Sequence, residues 1–362
     1  MLDPQDPRRR WNVIAFPAAA IRHRHPRPEP PRQRRPGWQT LLWSGIATVS
    51  VLALAVLGSA WWTVHRISAR IERMSNVFSM PDATRPVRAA SAGRSMNILV
   101  AGLDGEQRTG VARGARSDAI MVLHLDADRR RAWVVSIPRD AWVPIPGHRD
   151  NKVNAAYSLG GPALFVQTIE NLTGLRMDHL VVVDWTGIRR LTDAVGGVPV
   201  SLLPPALARG DSLHAEVALQ FSGDQALPYL SERKHLPGGD FDRVKRQQNF
   251  LRAVLQQAFD RHTFADPLAL RGIADAVGDA VRVDSGLTTQ EMLALAASAR
   301  QLRAKDITFL TAPSRGPALQ GAADVIVYDR ENGAALWQAL ADDRMEAFVA
   351  HHPRLVTAEH VR

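Results

Sequence analysis

The sequence predicts an α/β domain in which a central sheet is flanked by helices on both faces, preceded by one transmembrane helix. Two observations predict this arrangement. Short apolar runs typical of strands alternate with longer segments of helical periodicity, and one uncharged apolar stretch is long enough to cross a bilayer. The chain has no cysteine, which excludes disulfides, cysteine-ligated metal sites and thiol nucleophiles.

The apolar stretch covers residues 41–62 and lies in a gap without charged residues between Arg35 and His65. A helix of that length spans roughly 33 Å, which matches a hydrocarbon core of about 30 Å. Tryptophans stand at both of its ends, where amphipathic rings favour the membrane interface. We therefore predict a membrane span rather than a cleaved signal peptide or a buried core helix.

The charge distribution predicts the topology. Residues 1–36 hold nine arginines and three acidic residues, so they supply +6 of the formal +9 charge. Positively charged flanks stay on the cytoplasmic side of a membrane, so we expect a cytoplasmic N-terminus and an extracytoplasmic body. Because the excess charge belongs to this proline-rich, disordered tail, it does not indicate a nucleic-acid-binding face.

The chain is predicted to divide into five segments. They are a disordered basic cytoplasmic tail (1–36), a transmembrane helix (37–64), a stalk (65–95), an α/β domain (96–345) and a C-terminal tail (346–362). Strands are predicted at 97–101, 119–125, 132–137, 180–184 and 198–202, with 307–310 and 325–328 able to complete the sheet. Helices are predicted at 161–172, 186–195, 241–262, 267–277, 289–303 and 333–341.

Four polar clusters stand where predicted elements begin or end. They are Asp104 after the first strand, Arg116-Ser117-Asp118 before the second, Arg139-Asp140 after the third, and the run 240–248 at the start of a long helix. Carboxylates can hold Mg²⁺ and guanidinium forks match phosphate oxygens, so together these groups suit a phosphorylated ligand. Each motif taken alone is also common as a turn residue or a surface ion pair.

The run at the helix start is the more specific signal. At 100° per residue, Asp240, Arg243 and Gln247 fall within about 60° of one another, and Arg246 lies beside them. The adjacent stripe contains Val244, Gln248, Leu251 and Leu255. Arginine and glutamine on a helix often only face solvent, but here they stand in the first turns, where backbone N–H groups also favour an anion.

Taken in order, seven sequence blocks resemble the LytR-CpsA-Psr family. The blocks are NILVAGLDG, ARSDAIMVLHLD, VVSIPRDAWV, NKVNAAYSLGG, DHLVVVDW, LTDAVGGVPV and GGDFDRVKRQQNFL, running from about residue 96 to 255, with weaker similarity to about 343. The resemblance implies a central mixed sheet flanked by helices. It also implies a membrane-anchored, Mg²⁺-dependent, extracytoplasmic phosphotransferase that moves a glycopolymer from a polyprenyl-pyrophosphate carrier to a peptidoglycan hydroxyl in cell-wall assembly, with no nucleic-acid partner.

The resemblance also implies roles for individual residues. Asp104 and Asp118 match the family's Mg²⁺ positions. The pyrophosphate-binding positions are matched by Arg116, Arg139, Arg233, Arg243, Arg246 and Gln247, and the catalytic set by Asp118, Arg139, Asp240 and Arg243. The chain departs from the family at Ser231, which stands where the first arginine of an R-x-R pair often occurs.

Some points stay open at this level. The proton acceptor is Asp240 or one of the metal-side aspartates. The polyprenyl tail requires an apolar space, for which we propose a lining of Met121, Leu123, Phe165 and Ile169. Two other functions are compatible with the sequence: a hydrolase in which water attacks the same pyrophosphate, and a membrane-tethered envelope regulator without catalysis. Dependence on an acceptor distinguishes the transferase from the hydrolase.

Overall fold

The computed structural model describes residues 68–103, 117–202, 217–232, 236–258 and 267–358. The predicted tail and membrane span lie outside these ranges. Among the described residues, no helix combines the length and the apolar character needed to cross a membrane.

Strands and helices alternate along the described chain. The strands are β1 (Glu72–Met74), β2 (Met96–Leu103), β3 (Ser117–Leu125), β4 (Ala132–Ser136), β5 (Trp142–Val143), β6 (Asn151–Lys152), β7 (His179–Asp184), β8 (Val198–Leu202), β9 (Val217–Phe221), β10 (Val281–Asp284), β11 (Ile307–Thr311), β12 (Ser314–Gln320) and β13 (Ala323–Tyr328). The helices are α1 (Ala155–Thr173), α2 (Trp185–Ala194), α3 (Gly223–Ser231), α4 (Asp240–Ala258), α5 (Pro267–Ala280), α6 (Thr289–Ser298), α7 (Arg330–Ala341) and α8 (Met345–His351).

Seven strands form the central sheet, in the order β1-β10-β7-β2-β3-β4-β11. The sheet is mixed, because β1/β10, β2/β7 and β4/β11 pair in parallel, whereas β7/β10, β2/β3 and β3/β4 pair antiparallel. As a result, β2, β4, β7 and β11 all end at the edge of the sheet where β3 begins. This edge is called the upper edge below.

Helices cover both faces of the sheet, as predicted. On the first face, buried Leu99, Val122 and Val135 pack in one core with residues of α1 and α7, among them Phe165, Ile169, Leu336 and Leu340. On the second face, Met121, Val134 and Phe309 pack beneath α4 through Leu251 and Leu255. The lower part is covered by Leu295 of α6 and by Ala299, which directly follows that helix. Side chains alternate across a strand, so each strand contributes to both cores.

The two faces differ in how tightly they are packed. On the second face Val100, Ala119 and Leu123 are only half-buried, although their neighbours on the first face are buried. The predicted lining of one lipid space is therefore wrong in part. Met121 and Leu123 lie on the second face, whereas Phe165 and Ile169 are fully buried in the core of the first.

Five of the predicted strands are confirmed within the central sheet, as β2, β3, β4, β7 and β11. Residues 198–202 and 325–328 are also extended, but they belong to the separate two-stranded sheets β8-β9 and β12-β13. The central sheet is completed instead by β1 and β10. These two strands are three and four residues long and carry charged side chains, so they give almost no apolar signal in the sequence.

The predicted helices are all present, with shifted ends. Helix α1 begins six residues before its predicted start and bends at Gly160, Gly161 (φ 66°) and Pro162. Proline lacks an N–H and clashes with the preceding turn, so the sequence favours a new helix at this point rather than a continuous one. Helices α3 and α8, at 223–231 and 345–351, were not predicted.

Both predicted ends of the α/β domain, at residues 96 and 345, need correction. The predicted stalk, 65–95, joins the fold from its first described residue: β1 pairs with β10, Val77 is buried in the main core, and Arg85 forms a 2.6 Å ion pair with Glu170. The predicted C-terminal tail, 346–362, also belongs to the fold up to residue 358. Thr357 donates its N–H to the Phe309 carbonyl at the outer edge of β11 (2.8 Å).

A buried ion pair joins β7 to β10 at the lower edge of the sheet. His179 Nδ1 lies 3.1 Å from Asp284 Oδ2, and the same carboxylate accepts backbone N–H groups of Leu180 and Gly286. Burial opposes ionisation of both side chains, but the pKa of His179 is raised by the hydrogen bond and charge of Asp284. The pKa of Asp284 is lowered by the hydrogen bonds that it accepts, chiefly from His179.

We expect the contribution of this pair to the free energy of unfolding to fall both at high pH and at low pH. Because the pKa of His179 is raised on folding, its protonated form stabilises the fold below about pH 6.5, and this stabilisation is lost as pH rises through the folded-state pKa. Because the pKa of Asp284 is lowered on folding, its carboxylate stabilises the fold above about pH 4, and this stabilisation is lost as pH falls through the folded-state pKa. Asp284→Asn should therefore cost most, about 2 kcal/mol, near pH 5. Urea unfolding of both proteins at pH 3, 5 and 8 measures this; an equal cost at all three pH values would contradict it.

Candidate active site

The candidate site lies at the upper edge of the sheet, where β3 begins and β4 ends. Asp118 is the second residue of β3, and Arg139 follows the end of β4 by three residues. Pairing continues past β4, because Ile137 donates its N–H to the Ile120 carbonyl (2.8 Å). The antiparallel register therefore brings Asp118 and Arg139 together although they are separated by a whole hairpin.

Helix α4 adds a second pair of charged residues above the same edge. It begins at Asp240, and its sheet-facing stripe holds Val244, Gln248, Leu251 and Leu255, as the helical periodicity predicts. The fully buried amide of Gln248 donates to Ser136 Oγ and to the Leu310 carbonyl, both at 2.7 Å. These bonds attach α4 to the ends of β4 and β11 about two turns after Asp240.

Four side chains form a continuous charged cluster. Arg139 makes an ion pair with Asp118 through Nη1, and its Nε lies 3.6 Å from Asp240 Oδ1. Arg243 Nη2 lies 2.6 Å from the same Asp240 oxygen. Asp240 thus stands between two guanidinium groups, one supplied by the sheet and one by the helix.

Asp140 and Lys152 extend this cluster, although neither was predicted from the sequence to have a metal, phosphate or catalytic role. Asp140 Oδ2 lies 3.6 Å from Arg139 Nε, and its Oδ1 lies 2.9 Å from Lys152 Nζ on β6. Asp140 directly follows Arg139 in the sequence, and Lys152 stands in the KVNAAY block. Their places in these sequence blocks were the only hint in the sequence that they belong to the site. They are brought together by the pairing of two short strands, in which Trp142 lies opposite Lys152, and this pairing is visible only in the structure.

The helix side of the cluster is buried but poorly satisfied. The Arg243 side chain is only 4% exposed and that of Arg139 13%. Asp240 Oδ1 and Oδ2 and Arg243 Nε and Nη2 have no hydrogen-bond partner among the described residues. The 2.6 Å contact between Asp240 and Arg243 is therefore an ion pair without hydrogen-bond geometry. Buried polar atoms rarely lack hydrogen bonds in folded proteins, so these atoms of Asp240 and Arg243 are available to bind a ligand.

Burial and neighbouring charges shift the pKa values of Arg139 and Arg243 in opposite directions. Burial lowers the pKa of Arg139, but the charges of Asp118, Asp240 and Asp140 together outweigh it and raise the pKa. For Arg243, burial is stronger than the attraction of Asp240, and the pKa is lowered. Both groups remain guanidinium cations at neutral pH, because arginine does not deprotonate in proteins. Arg243 is therefore the less compensated cation.

Arg246 and Gln247 lie on α4 against α3. The Arg246 guanidinium stacks over the Tyr229 ring at 4.8 Å, and Gln247 Nε2 donates to the Leu230 carbonyl at 3.4 Å. Burial raises the pKa of the Tyr229 phenol to about 12, so it stays neutral. Ser231 turns its hydroxyl back to the Leu227 carbonyl (2.8 Å). These contacts fix the end of α3, immediately before the position of Arg233.

The structure thus brings together four of the nine predicted site residues: Asp118, Arg139, Asp240 and Arg243. Arg246 and Gln247 are placed one to two turns away, at the α3–α4 contact. Asp104, Arg116 and Arg233 lie outside the described residues. Leu103 and Ser117, which flank the undescribed residues 104–116, pair with each other at the same edge.

Comparison with known proteins places this architecture in a family. The profile of the LytR_cpsA_psr family matches residues 64–342. A protein of Halalkalibacterium halodurans named polyisoprenyl-teichoic acid–peptidoglycan teichoic acid transferase TagU is 34% identical over 54% of this chain and 62% of its own length. The probable cell wall biosynthesis protein LcpB of Corynebacterium glutamicum is 32% identical over 72% of this chain and 64% of its own. The chain thus spans somewhat under two thirds of the length of these relatives.

A solved structure agrees with the fold. The crystal structure of Bacillus subtilis TagV superposes with a TM-score of 0.55 at 25% identity, covering 70% of this chain and 98% of that one. The profile match extends over well over half of the chain and contains every residue of the charged cluster. The chain belongs to the LytR-CpsA-Psr family.

Proposed function

We propose that this protein is a membrane-anchored extracytoplasmic phosphotransferase that moves a glycopolymer from a polyprenyl-pyrophosphate carrier to a peptidoglycan hydroxyl. The observation that carries the proposal is that Asp240 lies between Arg139 and Arg243 in a mostly buried position. The carboxylate oxygens of Asp240 and two guanidinium nitrogens of Arg243 lack hydrogen bonds among the described residues. Family membership and the printed name of the TagU relative support the substrate class.

The charge balance of the cluster fits a pyrophosphate together with a divalent cation. The cluster contains three carboxylates and three cations: Asp118, Asp140 and Asp240, and Arg139, Lys152 and Arg243. It is therefore neutral as it stands. A pyrophosphate diester brings two negative charges and Mg²⁺ brings two positive ones, so binding both keeps this mostly buried site neutral.

Carboxylate oxygens are suitable Mg²⁺ ligands, and Asp118 with Asp104 would hold the ion. Bound there, Mg²⁺ would stabilise negative charge on the pyrophosphate. Arg139 and Arg243 would hold the phosphate oxygens, because guanidinium forks match them in geometry and charge. The acceptor hydroxyl forms a new bond to the glycan-side phosphorus, and the bond from that phosphorus to the oxygen of polyprenyl phosphate breaks.

The attacking hydroxyl must lose its proton, and Asp240 is suited to accept it. Its Oδ1 contacts both guanidiniums, whereas its Oδ2 has no hydrogen bond among the described residues and has a lone pair available. The two neighbouring guanidiniums also hold the carboxylate close to the phosphate site. Asp118 also contacts Arg139 through one oxygen, but it is assigned here to the metal.

The lipid would occupy the less tightly packed second face of the sheet. Val100, Ala119 and Leu123 are half-buried there, beside Met121 and below Leu251 of α4. This apolar surface begins at the same edge as the charged cluster, because Ala119 directly follows Asp118. A polyprenyl chain placed here would gain hydrophobic burial while its pyrophosphate reached the arginines.

The first prediction concerns the arginines. Arg139→Ala and Arg243→Ala should each lower the rate of glycan transfer at least roughly 100-fold, because a charge-assisted contact contributes about 1.5–3 kcal/mol and more in a desolvated transition state. Initial rates with a polyprenyl-pyrophosphate glycan, with and without peptidoglycan oligomers, measure this. Product that forms only with the oligomers supports transfer; release of carrier phosphate without them supports hydrolysis.

Lys245→Ala provides the matched control for these variants. Lys245 is on the same helix, but its side chain is half exposed and pairs with Asp242 at 3.3 Å, away from the cluster. It should transfer at the wild-type rate. Arg243→Lys keeps the buried charge but removes the guanidinium fork, so it separates loss of folding from loss of function. A wild-type rate of transfer by Arg139→Ala or Arg243→Ala would refute the proposed site.

The second prediction concerns the metal. Asp104→Ala and Asp118→Ala should raise the Mg²⁺ concentration needed for half-maximal transfer at least tenfold, because each removes a hard oxygen ligand. Lipid binding should be unchanged. Asp150→Asn, in an exposed loop, is the control. A wild-type rate that is unaffected by EDTA would overturn the role of Mg²⁺.

The third prediction concerns topology. A reporter that is active only outside the cytoplasm should work when fused after Arg362 and fail when fused before Trp11, because the arginine-rich side of the span at 41–62 is retained inside. Protease added to intact protoplasts should remove the body and spare the tail. The reverse pattern would place the cluster away from the peptidoglycan acceptor and exclude the proposed reaction.

A further inference from the structure

A second cluster of titratable side chains lies at the lower edge of the sheet, at the opposite end of β3 from the charged cluster. It consists of His124 near the end of β3, Asp126 directly after it, and Asp343 in the turn between α7 and α8. One atom of each side chain, a ring nitrogen or a carboxylate oxygen, lies within 4.8 Å of the other two. The proposed transfer reaction uses none of these residues.

The hydrogen bonds around His124 determine which ring nitrogen faces the carboxylates. Asn97 donates its side-chain amide to the Arg176 carbonyl (3.0 Å), so its Oδ1 is the atom 2.7 Å from His124 Nδ1. That oxygen can only accept, and Nδ1 must therefore carry a hydrogen. In a neutral imidazole the lone pair is then on Nε2, which points to the two aspartates.

The carboxylates are arranged around Nε2 at separations that suit metal ligands. Asp343 Oδ1 lies 3.2 Å and Asp126 Oδ1 3.8 Å from His124 Nε2. Ligand atoms about 2.0–2.2 Å from a tetrahedrally coordinated ion are roughly 3.3–3.6 Å apart. A single proton on Nε2 could reach Asp343 but not Asp126, whose oxygen is beyond hydrogen-bond distance.

The surroundings orient the ligands without neutralising them. Trp133 Nε1 donates to Asp126 Oδ1 (2.7 Å), and the N–H of Ala127 donates to Asp343 Oδ2 (3.2 Å). Arg129 donates to the backbone carbonyls of Leu125 and Asp126 rather than to the carboxylates. With a neutral imidazole, the cluster carries two negative charges around a ring that is fully buried.

We propose that His124, Asp126 and Asp343 bind one divalent transition-metal ion of the zinc type. One histidine nitrogen and two carboxylate oxygens are ligands that Zn²⁺ accepts, and His124 donates its other N–H to a fixed oxygen as metal-bound histidines do. The two aspartate side chains are 21% and 20% exposed, so an ion can reach them from solvent. The ion's charge offsets both carboxylates, whereas a proton offsets one.

The consequence of such a site is structural. His124 and Asp343 are 219 residues apart in the chain, so the ion would join the β3–β4 hairpin to the turn that carries α8. Asp343 has a left-handed backbone conformation (φ 54°), which is uncommon outside glycine and directs its carboxylate to the hairpin. A chain without cysteine cannot make this connection with a disulfide.

Metal content of the purified full chain tests the proposal. After stripping with EDTA, addition of ZnCl₂ and removal of the excess, the wild type should retain one zinc at this cluster and its thermal midpoint should rise by roughly 5 °C at 100-fold excess over Kd. Asp343→Asn and Asp126→Asn should each lose that equivalent and the rise. Co²⁺ in place of Zn²⁺ should give the visible absorption of a tetrahedral site in the wild type only.

Asp342→Asn is the matched control, because it removes the same charge one residue away, where the side chain pairs with Ser91 and Arg344 instead. It should keep the zinc. Asp118→Asn should keep it too, which separates this ion from one at the upper edge and makes the result independent of transferase activity. Equal zinc in the wild type and Asp343→Asn, or zinc that is lost with Asp118, would overturn the proposal and leave His124 as a buried ion pair.

Discussion

The arrangement of the site depends on one carboxylate shared by two guanidiniums. Arg139 and Arg243 come from different layers of the fold, and the charge of Arg139 helps to lower the pKa of Arg243. Asp240 lies between them, 3.6 Å from Arg139 Nε and 2.6 Å from Arg243 Nη2, and offsets this repulsion. Without it, two cations would be held close together in a mostly buried position, at a high cost in desolvation.

The position of Asp240 depends in turn on how α4 is attached to the sheet. Gln248, two turns further along the helix, is fully buried and donates to the Leu310 carbonyl and to Ser136 Oγ. It also accepts a hydrogen bond from Thr357, so the C-terminal segment reinforces the same contact. Arg252 adds a hydrogen bond to the Thr357 carbonyl (3.0 Å). Residues 357 and 358 thus help to position the helix that carries Asp240 and Arg243.

The sheet separates two clusters of charge at its two ends. At the upper edge, cations and carboxylates balance in number and part of their polar atoms lack hydrogen bonds, which suits a site that exchanges ligands. At the lower edge, His179–Asp284 and the cluster around His124 are hydrogen-bonded from several directions. This difference is expected if one end of the sheet reacts with substrates and the other holds the strands together.

The sequence by itself determined the fold class, most of the central sheet and four residues that the structure brings together, because strands with alternating or continuous apolar residues and a periodic helix are local patterns. The ordered blocks also carried the family. Only the tertiary structure decided that Glu72–Met74 and Val281–Asp284 complete the sheet, since these short charged strands are stabilised by pairing and not by their own apolar residues. The same holds for Asp140 with Lys152, for Gln248 and for His124 with Asp343, whose partners are distant in the chain and adjacent only through strand register and helix packing.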